Sequence, residues 1–170
     1  MIVEIDSRIR VSENARVCDN AKVLNNAVVL DNAQVSGYAW VLDNATVIGY
    51  ARVSGNTTVK EYAVIRDNGI ISSYAQVYGN AQVYGFARVG GNAHVRDHAH
   101  VYSYAKVFDR AMVSGNARVF GYAMVGGDAR IKDNAKIEGN ALVYGNSILE
   151  GDVTISSGMV KDVHWWRDVP

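Results

Sequence analysis

An aliphatic residue returns at every sixth position from Val11 to Ile155 without insertion or deletion, and that phase constrains the fold more than any other feature of the chain. Val17, Val23, Val29, Val35 and Val41 open the series, and Ile137, Val143, Leu149 and Ile155 close it. Alanine stands two residues before nearly every member; Thr57, Gly69, Ser147 and Val153 replace it. Between them runs a turn-like pair, such as Gly55-Asn56, Asp43-Asn44 or Gly121-Tyr122. Such a period fits neither an α-helix nor a heptad and is far shorter than the unit of a helical solenoid.

It does fit a chain that makes a short strand, turns and makes another. The aliphatic residue has outward neighbours on both sides, as in Arg16-Val17-Cys18 and Lys106-Val107-Phe108, which is the alternation of a strand with one buried face. Strands this short are stable only when copies stack and pair with the chain above and below. If three units close one triangular coil, residues 18 apart lie above one another at roughly 4.8 Å. Val29, Val47, Ile65, Val83, Val101 and Val119 then form an interior column, with Ala27, Ala33 and Ala39 in the tapering corners where a larger side chain would overpack. Gly and Asn suit the left-handed backbone of a sharp corner. Tyr38, His98 and Arg110, at the second turn position, would be strained if that position were left-handed.

The unit Val113-Ser114-Gly115-Asn116-Ala117-Arg118 resembles the repeat of the hexapeptide-repeat left-handed parallel β-helix family, of the loop-free type found in bacterial and phage genomes. The resemblance implies an all-β fold: a single-stranded, left-handed triangular solenoid of about eight coils, a rod roughly 40 Å long. The left hand comes from the resemblance alone, since strand crossovers are otherwise overwhelmingly right-handed. We expect an irregular start to the first coil at 1–10, the β-helix over 11–158, and a C-terminal cap or tail at 159–170, where the repeat is lost. In that tail Trp165 and Trp166 are placed to cover an open ladder edge.

Charge and composition narrow the function classes. Seventeen basic and seventeen acidic residues cancel, which argues against a nucleic-acid footprint. A single cysteine, Cys18, excludes an internal disulfide and suits a reducing compartment, so cytoplasm is the expected location. No segment is long and apolar enough to imply a membrane span. The only proline is Pro170, as befits a ladder in which nearly every N–H needs an acceptor.

Sorting outward residues by the 18-residue phase singles out one face and its corner. Leu30 and Ile48 lie near the start of the face, and Tyr84, Tyr102 and Phe120 follow in a column; the corner carries Tyr50, Phe86, Tyr104 and Tyr122. A contiguous apolar and aromatic stripe marks an interface, and we expect a homo-oligomer, trimer or dimer, formed through it. The remaining faces carry Arg16, Gln34, Arg52, Arg88 and Lys106 on one and Lys22, Thr58, Lys60, Arg96, Arg130 and Lys132 on the other, read as solvated surface.

The candidate chemistry is confined to His94, His98 and His100. Hexapeptide acyltransferases are similar in fold and use a histidine as general base between subunits; by that resemblance His98 beside Asp97 would serve, with acetyl-CoA or another acyl-CoA as cofactor. No loop projects to shape an acceptor pocket, and the three histidines point from a face, a corner and the next face, so one chain cannot bring them onto a metal. The expectation is therefore a non-catalytic, self-associating structural or binding scaffold without cofactor or metal. A CoA-dependent acyltransferase and an oligomer that sequesters a small ligand stand as alternatives.

Overall fold

The computed structural model describes residues 10–167. The chain winds into three parallel sheets of nine strands each, stacked as a β-solenoid of about nine turns, and no helix occurs among the described residues. The first sheet runs from Arg10–Val11 to Thr154–Ile155, the second from Arg16–Val17 to Met159–Lys161, and the third from Lys22–Val23 to His164–Arg167. Every sixth residue changes sheet and every eighteenth returns to the same one, as in Val11↔Val29 and Val47↔Ile65. Nine strands in each sheet are one more coil than the repeat count implies, because the segment from Met159 onward does not leave the ladder. Leu142 pairs with Met159 and Ile148 with His164, so the 18-residue spacing shortens to 17 and then 16 while the register holds. The irregular start expected at 1–10 lies outside the described residues except for Arg10.

Burial follows the period. Valine or isoleucine and the preceding alanine are fully buried through the body of the rod, from Ala27 and Val29 to Ala135 and Ile137. Each buried aliphatic side chain contributes about 1.5–3 kcal/mol relative to exposure. Two small polar residues replace alanine in this core. Ser147 satisfies its hydroxyl on the Tyr144 carbonyl at 2.7 Å, whereas Thr57 Oγ1 is buried without a hydrogen-bond partner. Backbone bonds climb from coil to coil: Leu42 N–H donates to the Val59 carbonyl and Asn44 N–H to that of Glu61, both at 2.9 Å.

Nearly every described corner is made by a left-handed first turn residue, most often Gly and next Asp, with φ of 59° at Asp31 and 71° at Gly121. The second turn position is not left-handed, so Tyr38, His98 and Arg110 carry no such strain. Glycine is required at several first positions for a further reason: a Cβ on Gly91 would lie 2.6 Å from the Asp109 nitrogen of the next coil. Where aspartate stands instead, its carboxylate reaches up and accepts the next coil's turn amide, as Asp31 does from Gly49 at 3.1 Å, Asp97 from Gly115 at 3.1 Å and Asp133 from Gly151 at 3.0 Å. Most acids thus line the corners and most cations the faces.

At the C-terminal end Glu150 accepts from Lys132 and pairs with His164, each at 3.2 Å. The hydrogen bonds from His164 and then Lys132 hold its carboxyl below the usual carboxylate range. Trp165 pairs with Leu149, an interior position, and remains exposed at the end of the column; Trp166 pairs with Glu150 through its backbone.

Candidate interaction surface

Residues on either side of a corner are held in vertical columns because the register never slips between Val11 and Ile155. At the corner between the first and second sheets this produces two aromatic ladders. Tyr84, Tyr102 and Phe120 form the inner one, with successive centroids 4.9 Å apart and planes within 2° and 3° of parallel. Phe86, Tyr104 and Tyr122 form the outer one, 5.0 Å apart at 5° and 7°. Each pair contributes about 0.5–1.5 kcal/mol beyond area burial. The inner rings are half-buried, whereas those of Phe86, Tyr104 and Tyr122 remain 51%, 48% and 63% exposed.

Leu30, Ile48 and Tyr50 stand in the same columns but not in the same cluster. Arg66 separates Ile48 from Tyr84, laying its guanidinium 4.0 Å from the Tyr84 centroid, and Asn68 separates Tyr50 from Phe86. The stripe therefore divides into a short aliphatic part and a continuous block of six rings. Burial chiefly, with Tyr84 and Glu138 adding and Arg118 opposing, raises the Tyr102 pKa above its ordinary value.

The histidines do not converge. His94 meets Tyr78 edge-on at 6.4 Å, His100 meets Tyr84 edge-on at 6.2 Å, and His98 Nε2 lies 3.4 Å from the Asn80 amide. Asp97 is turned away from His98: its carboxylate accepts from Gly115 N–H at 3.1 Å and pairs with Arg96 at 3.3 Å. Burial first, then the positive charges of Arg118 and Arg66 and the neighbouring His98, lowers the His100 pKa. Among the described residues no group of three His, Cys, Asp or Glu side chains is placed to hold a metal ion.

Cavities lie on the second sheet. One of about 270 Å³ is bordered by the corner column Asn32, Tyr50, Asn68 and Phe86 and the sheet column Gln34, Arg52, Ile70 and Arg88. Another, of about 400 Å³, continues over Ser72 and Gly90 towards Lys106 and Phe108. Phe108 itself lies over Gly126, where a Cβ would collide with its ring. By sequence alone Arg52 and Arg88 read as solvated surface. The signal that marks them is the pairing, within one unit, of an aromatic second turn residue with an arginine two residues on, as in Tyr50 and Arg52.

Fold and surface together define a β-solenoid with one aromatic corner and one cationic trough. A family model described as YdcK Beta solenoid repeat matches residues 111–127. Those 17 of 170 residues make up one coil, with strands Met112–Val113, Arg118–Val119 and Met124–Val125. The match and the three parallel sheets support a β-helix family. Comparison with curated proteins gives no match for this chain.

Proposed function

We propose that the protein is a non-catalytic scaffold that self-associates through the aromatic corner between its first and second sheets. The observation that carries this reading is the outer ladder: three consecutive rings, Phe86, Tyr104 and Tyr122, stacked in register and about half exposed. Exposed aromatics elsewhere, such as Tyr38, Tyr62 and Tyr74, stand singly on the other corners with polar residues above and below them. A rigid, low-entropy aromatic block rimmed by polar corners has the composition of an interface core. The commitment of Asp97 to Gly115 and Arg96 supports a non-catalytic role, because it leaves His98 without a carboxylate to orient it.

Replacing Tyr104 and Tyr122 together with aspartate tests the reading. Both side chains are exposed, so the solenoid should fold with an unchanged circular dichroism spectrum while sedimentation velocity shows the oligomer dissociated. An assembly that survives the double substitution would remove this corner as the interface.

A further inference from the structure

We propose that the trough along the second sheet binds an extended acidic polysaccharide in which a carboxylated sugar alternates with a neutral one. This goes beyond the scaffold reading, and the trough shares Phe86 with the outer ladder.

Charge on this sheet has one sign. Arg16, Arg52, Arg88 and Lys106 hold outward positions, and no acid stands at an outward position of the second sheet among the described residues. On the other two sheets several cations are neutralised: Arg66 by Asp67 at 3.2 Å, Arg96 by Asp97 at 3.3 Å, Lys132 by Glu150 at 3.2 Å. Arg52, Arg88 and Lys106 enter no ion pair among the described residues. The occupant that complements this face carries negative charge.

Spacing and neighbours define it further. Arg52 and Arg88 are 36 residues apart, which is two coils, or about 9.6 Å along the axis. Each shares its coil with an exposed ring, Tyr50 beside Arg52 and Phe86 beside Arg88, and the coil between them presents Asn68 and Ile70. Between Arg52 and Arg88 a ligand running along the axis therefore meets a cation and an aromatic platform on alternate coils with an amide between, and one coil further on Tyr104 and Lys106 add another ring and cation. The guanidinium fork matches a carboxylate, the ring faces accept the apolar face of a sugar, and Asn32, Gln34 and Asn68 supply donors and acceptors for hydroxyl groups. Ser72 and Gly90 keep the floor low enough for a chain to lie in it.

Other linear polymers fit less well. A nucleic acid strand carries a phosphate on every nucleotide, about every 3.4 Å along a duplex strand, so cations at this spacing would leave most phosphates unmatched. A peptide added as a strand needs an open sheet edge, and the strands beneath the trough are paired on both sides.

The test is calorimetric titration with a hyaluronan oligosaccharide, in which uronate alternates with a neutral sugar, against dextran and oligothymidylate of similar length. We expect hyaluronan to bind, with affinity falling as salt rises. In the Arg52→Glu/Arg88→Glu variant binding should weaken roughly tenfold or more, with solution mass unchanged. Tyr50→Ala/Phe86→Ala should weaken it with the salt dependence retained. Absence of hyaluronan binding, equal binding of dextran, tighter binding of oligothymidylate, or indifference to the arginine reversal would each overturn the proposal.

Discussion

The rings of Tyr102 and Phe120 lie 4.9 Å apart and within 3° of parallel. That separation is the inter-coil spacing of the solenoid itself, so stacking here is a consequence of backbone register and needs no side-chain adjustment. Tyr102 stacks on Tyr84 below as well as on Phe120 above. Tyr102→Ala should cost about 1–3 kcal/mol from two ring pairs, read from urea unfolding. Tyr102→Phe should cost less than half as much.

The carboxylate of Asp109 accepts from the Gly127 amide at 2.9 Å while its own backbone holds φ at 56°. Asp109→Ala loses the acceptor and keeps an unfavourable backbone, so about 1–3 kcal/mol of stability should be lost. Asp109→Gly loses the same bond but relieves the backbone, and its melting temperature should fall less than that of the alanine variant. Equal loss in both would show that the backbone conformation contributes nothing.

Thr57 fills an alanine position between Ala39 and Ala75 with a hydroxyl that has no partner. Thr57→Val keeps the volume and removes the unpaired group, and should raise stability by about 1–3 kcal/mol in thermal or urea unfolding. Ser147→Ala, which removes a satisfied hydroxyl, should not be stabilising.

His100 has its pKa lowered by burial first and then by Arg118, Arg66 and His98. The unfolded chain therefore binds a proton that the folded one refuses, in the window from the ordinary value of 6.5 down to the folded pKa. The contribution of His100 is therefore least unfavourable above 6.5, and it subtracts from stability as pH drops through that window. His100→Gln should flatten this limb of the stability profile. An unchanged pH dependence would show that His100 is not its source.

The core was legible in the sequence because a buried position in a solenoid recurs with the coil: Val29, Val47 and Ile65 had to share a column once three units made a turn. The aromatic columns followed from the same phase. Other features were hidden because they depend on geometry the period does not carry. Which turn residue is left-handed is set by backbone sterics, and it proved to be the Asp or Gly position rather than that of Tyr38 or His98. The Asp-to-Gly coupling across 18 residues was present as letters, Asp31 with Gly49 and Asp67 with Gly85, but only the amide at 3.1 Å in each case gives it meaning. The final coil escaped the repeat because two shortened turns moved it out of phase, while its strands stayed in register. The break in the aromatic stripe at Arg66 and Asn68 was readable; its filling by an arginine packed on Tyr84 was not.

Self-association through the outer ladder is read from solution mass, by size-exclusion chromatography with light scattering run over a range of concentrations. We expect a mass of two or more times 18.5 kDa that falls to 18.5 kDa in Tyr104→Asp/Tyr122→Asp. A wild-type protein that remains at 18.5 kDa at every concentration would contradict it.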